Sequence, residues 1–158
     1  ALALGRDLYS DLERGSEAIG TLAHAATHAA HPVGAAAALK TIEIIERDGL
    51  VQHAQRMGER LHARLERLRG HPLVGDVRHV GLAGAVDFLR RDADDRPLDD
   101  GGEAVCQRVF RQLLAAGVVV RQTGRNIVIA PPLIIKGSEV DEICDRLERA
   151  LDAVIAES

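Results

Sequence analysis

The apolar pattern of this chain changes period at His71-Pro72, and few architectures accommodate what lies on both sides of that point. Before it, Leu50, Ala54, Met57, Leu61, Leu65 and Leu68 recur at helical spacing, predicting a helix from Leu50 to about Arg69 that Gly70 closes. After it, Leu73–Val80 and Leu82–Leu89 read as two strands on either side of Gly81. Proline fits neither a helix interior nor the position after an α-region residue, so the break is local and sharp. The period then switches again. Glu103–Ala116 is amphipathic through Val105, Val109, Phe110 and Leu113, with Gly117 just past its end. Val118–Arg121 and Asn126–Ala130 read as a strand pair around Thr123-Gly124, and Pro131-Pro132 stops the second strand. In the last segment Ser138, with Asp141 three residues on, has the spacing of a capping box, and Val140, Ile143, Leu147, Leu151, Val154 and Ile155 form one stripe. Helices flanking strand pairs without strict alternation predict an α+β fold, a small antiparallel sheet packed against amphipathic helices in two layers.

The N-terminal part is less regular. A short helix is expected over Arg6–Arg14, stopped by Gly15-Ser16, and Thr21 to His31 is rich in Ala and His. Pro32 suits a first helical position, and a helix from there to Asp48 would place Leu39, Ile42 and Ile45 on one face before Gly49 stops it. Two parts follow: a lead-in arm over 1–31 and a main domain over 32–158.

At 158 residues the chain is long enough to bury a core, about two-thirds of the surface its unfolded form exposes. Its 20 basic residues are outnumbered by 24 acidic ones, and Tyr9, Phe88 and Phe110 are its aromatics, which argues against a nucleic-acid partner. No apolar run approaches the ~18–20 residues of a membrane span. With no secretory pattern visible, the cytoplasm is the expected compartment. Cys106 and Cys144 lie within apolar-periodic stretches and read as small buried thiols rather than a disulfide or metal pair.

Several residues invite a chemical reading. His24, His28 and His31 would share one helical face, and three imidazoles can hold zinc; but Pro32 disturbs the geometry and no carboxylate lies in the stretch to orient the rings, so no metal site is assigned. Asp92, Asp94, Asp100 and Glu103 take the first, third, ninth and twelfth places of a calcium loop. Arg96 and Pro97 stand where a ligand and a turn-forming Gly belong, so this is an acidic turn. Arg121, at the end of a short strand beside a Gly turn, suits a planar substrate carboxylate, and from spacing alone equally suits a solvated surface.

Four stretches, in order, carry a resemblance. Thr27-His28-Ala29-Ala30-His31-Pro32-Val33 with the Ala-rich helix after it resembles a segment of the class III (fold type I) aminotransferases. So do Ile44-Ile45-Glu46-Arg47-Asp48-Gly49-Leu50 and the run from His71-Pro72-Leu73-Val74-Gly75 to Val80-Gly81-Leu82. The fourth is Gly117-Val118-Val119-Val120-Arg121 followed by Ile127 to Ala130 and Pro131-Pro132-Leu133. The likeness covers nearly the whole chain and leans toward the ω-transaminases.

The resemblance implies the fold of the C-terminal domain of fold type I transferases, with 1–31 as the end of the large domain. It implies pyridoxal 5′-phosphate as cofactor and amino-group transfer between an amine or amino acid and a keto acid. It also implies a homodimer, or a complement to an N-terminal half. Thr27 takes the role of hydrogen-bonding the cofactor phosphate across the dimer interface, and Arg121 that of binding the substrate carboxylate. No residue is assigned a catalytic role, because the family's Schiff-base lysine belongs to a segment that would precede Ala1, and neither Lys40 nor Lys136 stands in its context. His28 replaces the family's usual Tyr, and Ala25 and Ala26 stand where Gly and an aromatic are common. The chain alone is therefore expected to be inactive. The alternatives are a non-catalytic dimerisation or binding module that keeps the fold, and a metal or small-ligand binder built on the histidines.

Overall fold

A computed structural model of the chain describes residues 5–20, 31–88 and 102–157. The chain divides into two compact units, Ala1–Ile42 and Glu43–Ser158. The division falls inside a helix that begins at Pro32.

In the first unit, helix α1 spans Arg6–Ile19, longer than the sequence suggests. Gly15 and Ser16 do not stop it, because one interior Gly costs only about 1 kcal/mol; the stop is Gly20, at φ +91. Helix α2 spans Pro32–Arg47, and the His31 carbonyl accepts the Ala35 N–H at 3.0 Å, so Pro32 opens the helix as expected. The apolar stripe of α2 is largely in the open, Leu39 being 69% and Ile42 53% exposed. The alanines at 35–38 make this helix without needing a buried face.

The second unit carries the core. Gly49, at φ +59, separates α2 from α3 (Leu50–Leu65), whose last turn tightens into a 3-10 helix over Glu66–Gly70. Strand β1 is Asp76–Val80 and β2 is Ala83–Asp87, joined at Gly81. Both are shorter than the sequence suggests. The segment ahead of β1 turns instead, the Val74 N–H donating to the His71 carbonyl. Helix α4 covers Glu103–Ala115, strand β3 Arg121–Thr123, β4 Asn126–Ile129 and α5 Gly137–Ala156. Val118 to Val120 do not join β3, because Val118 N–H closes the end of α4 on the Leu113 carbonyl at 2.9 Å. The α5 cap also differs from expectation. Lys136 is the N-cap and the Glu139 carboxylate accepts its N–H at 2.7 Å, two residues upstream of the Ser138–Asp141 frame.

The four strands form one antiparallel sheet in the order β1-β2-β4-β3. Val77, Val86 and Ile127 lie opposite one another on the face that meets the helices, with α3 over β1 and β2 and α4 over β3 and β4. Helix α5 packs against both α3 and α4. Leu61 and Leu65 of α3, Val109 and Leu113 of α4, and Val140, Leu147, Leu151 and Val154 of α5 close one core with these valines and Ile127. The fold is α+β, as the alternation of periods predicts. Cys106 and Cys144 sit in that core, and burial, foremost among the causes, pushes each thiol up to about 11. After β4 the Pro-Pro-Leu segment is held to α3 by His53, whose Nε2 lies 2.8 Å from the Ile135 carbonyl. No helix among the described residues is long and apolar enough to cross a membrane.

Candidate functional site

The alternation of side chains along each strand sends residues opposite Val77, Val86 and Ile127 to one face and their neighbours to the other. On that other face one row runs Arg78, Ala85, Val128, Arg121 across the four strands, and the next runs Asp76, Asp87, Asn126, Thr123. Arg121 opens the edge strand β3. It is exposed, and no carboxylate among the described residues pairs with it.

Its neighbours on this face are engaged. Asp87, only 6% exposed, accepts Arg125 Nε at 2.9 Å on one carboxylate oxygen and faces Arg78 Nη1 at 3.4 Å with the other. Arg78 Nη2 donates to Asn126 at 2.7 Å. Arg125 follows the Gly124 turn, and its carbonyl accepts the Phe88 N–H at 3.1 Å, so the tip of the β3–β4 hairpin is tied to the end of β2 twice. At the β1 edge, Arg69 Nη1 meets Asp76 at 2.7 Å. Burial would raise the Asp76 carboxyl, but the hydrogen bonds from Arg69 and the Val77 N–H, with the charges of Arg69 and Arg78, outweigh it and hold the group below its ordinary value.

A half-open groove of about 380 Å³ lies elsewhere, lined by Val119, Pro131, Pro132 and Ile143 with Glu139, Glu142 and Arg146 at its polar side. Glu139 caps α5 and Glu142 pairs with Arg146, so its charges are internally satisfied.

Arg121 is therefore placed where a planar anion could reach it. Thr27, His24 and His28 lie outside the described residues, as do Asp92 to Asp100 of the acidic turn. His31 is exposed at the start of α2. Among the described residues no three His, Cys, Asp or Glu side chains are grouped to hold a metal ion. Asp87 and Arg125 were not singled out by spacing. A lone Asp ending an apolar strand was the available signal, but its partners are set by strand order.

Compared with known proteins, residues 5–151 match the family described as aminotransferase class-III. The chain belongs to the class III aminotransferase family. It is 34% identical to an uncharacterised aminotransferase of Sinorhizobium fredii over 99% of this chain and 34% of that protein. A taurine–pyruvate aminotransferase of Rhodobacter capsulatus is 38% identical over 78% of this chain and 28% of its own length. The PMP-bound form of an aminotransferase from Vibrio fluvialis superposes with a TM-score of 0.83 at 35% identity, covering 98% of this chain and 34% of that one. The chain thus spans about a third of the length of the relatives it matches.

Membership implies dependence on pyridoxal 5′-phosphate, and the described residues do not fit that group. Lys40 and Lys136 are both exposed, on α2 and at the α5 cap, and neither lines the 380 Å³ groove. The one cation lining that groove, Arg146, is paired with Glu142, so the groove offers no uncommitted positive charge to a phosphate dianion.

Proposed function

We propose that this chain is the substrate-facing C-terminal part of an ω-transaminase-like enzyme that transfers an amino group between an amine or amino acid and a keto acid. In this reading the chain works with a cofactor-holding region corresponding to the rest of its relatives' length, in a cytoplasmic dimer. By itself it carries out no turnover. The observation that carries the proposal is the exposed guanidinium of Arg121, unpaired among the described residues, on an open sheet face where Arg78 and Arg125 are occupied. A guanidinium fork forms two parallel charge-assisted hydrogen bonds to a carboxylate, and an apolar amine offers it nothing to bind. Thr27, by its family role, contributes a hydroxyl to the cofactor phosphate.

Steady-state kinetics of the assembled enzyme test this. Arg121→Ala weakens amino-acid and keto-acid substrates by roughly 2–3 kcal/mol, the range for a lost hydrogen bond to a charged group, and changes the apolar-amine half-reaction far less. Thr27→Ala affects both donors alike until cofactor is in excess. Equal slowing of both donors by Arg121→Ala rejects the carboxylate role. Turnover by the purified chain with cofactor, an amine and pyruvate rejects the division of labour.

A further inference from the structure

The face that carries Arg121 holds two more guanidiniums, Arg125 just past the turn of the same hairpin and Arg78 in the same cross-strand row but three strands away at the far edge of the sheet. A carboxylate arriving on this face would find three forks spread across it if all were free. The structure removes two of them. Asp87, on the inner strand β2 and 6% exposed, gives one carboxylate oxygen to Arg125 at 2.9 Å and turns the other toward Arg78 at 3.4 Å. Arg78 is further committed to Asn126 at 2.7 Å and lies 3.5 Å from Asp76. The Phe88 N–H, next along the chain, holds the Arg125 carbonyl at 3.1 Å.

We infer that Asp87 is a specificity-determining positioning residue: it occupies Arg125 and Arg78 and ties down the hairpin tip, so that the substrate carboxylate is left to Arg121 alone. Asp87 touches no substrate in this scheme; it acts through the two arginines. The inference rests on the carboxylate role of Arg121. It explains why a buried acid stands at the end of an otherwise apolar strand, opposite a second acid, Asp76, with which it would otherwise clash electrostatically.

The test compares an amino-acid donor with an apolar amine of similar size in the assembled enzyme. In the wild-type background Arg121→Ala lowers kcat/KM for the amino acid roughly ten- to a hundredfold, the factor for losing a charged hydrogen bond. In the Asp87→Asn background the freed Arg125 donates to the carboxylate, and Arg121→Ala then costs only a few fold. Asp87→Asn by itself changes KM for the amino acid more than kcat, and Asp87→Glu restores the wild-type pattern. If Asp87→Asn folds poorly, the pair Asp87→Asn with Arg125→Gln removes both charges together. In that background the full Arg121→Ala penalty returns, because Arg125 is gone and Arg78 stays held by Asn126 and Asp76. An Arg121→Ala penalty that is the same with and without Asp87, or an Asp87→Asn effect equal on both donors, overturns the positioning role while leaving Arg121 in place. Absence of any amino-acid-selective penalty from Arg121→Ala in the wild-type background overturns the reading of Arg121 itself.

Discussion

Gly58, in the middle of α3, sits against the carbonyl of Gly81 at the β1–β2 turn: a Cβ added to Gly58 would lie 2.3 Å from that oxygen. The helix reaches the hairpin only because position 58 has no side chain. Elsewhere in a helix, Ala is favoured over Gly by about 1 kcal/mol. Here the contact reverses the sign, and Gly58→Ala is expected to destabilise by about 1–3 kcal/mol, as overpacking does. A Cβ added to Gly15 in α1 would meet none of the described residues beyond its own helix within 4 Å, and Gly15→Ala should instead raise helicity. Urea midpoints of the first variant and far-ultraviolet circular dichroism of the second check the contrast.

Gly84 repeats the theme one layer deeper. A Cβ there would fall 2.5 Å from Cδ1 of Leu65, which is fully buried under the sheet. Gly84→Ala and Leu65→Ala should each destabilise, the latter by about 2–5 kcal/mol. The double variant should lose less than the sum, because the new methyl enters space that Leu65 vacates. A double-mutant cycle by chemical denaturation measures that coupling.

Helices α3 and α5 are strapped by arginines. Arg64 reaches Asp145 and, at 3.1 Å, Glu148, with its side chain only 15% exposed, while the more exposed Arg60 meets Asp141 at 2.9 Å. Arg64→Ala should cost clearly more than Arg60→Ala, because the exposed pair is screened by solvent. The Arg60 hydrogen bond, foremost, holds the Asp141 carboxyl below its ordinary 3.8. Its contribution is thus present above that value and is lost as pH falls through the lowered folded one. Acid unfolding followed by circular dichroism should show Arg60→Ala shedding part of the pH dependence below about 4.

The two thiols give a prediction at the other end of the scale. Burial pushes Cys106 and Cys144 up to about 11 from 9.0, so the folded state holds their protons more tightly than the unfolded one. The stability linked to them is intact below 9.0 and is lost as pH rises toward 11. A thiol reagent at neutral pH should label neither until denaturant unfolds the chain, and the native midpoint should fall between pH 9.0 and 11.

What the sequence by itself determined is local and periodic. The switch at His71-Pro72, the stripes of α3, α4 and α5, and the glycines ending α2 and α4 all depend on neighbours within a turn or a strand. So does the class of the fold, since those elements have few ways to bury their apolar sides. The motifs from Thr27 to Leu133 carried the family. What tertiary structure alone decided are relationships between distant segments. That Asp87 meets Arg125 follows from β4 pairing with β2 rather than with β1, which brings the β3–β4 turn to the end of β2. That Val118 ends a helix instead of starting a strand follows from its hydrogen bond to Leu113. Whether an amphipathic stripe is buried was equally undecided, since Leu39 and Leu61 obey the same spacing, yet Leu39 is exposed and Leu61 buried in the core. Spacing specifies which side chains share a face; strand order and helix docking specify what that face meets.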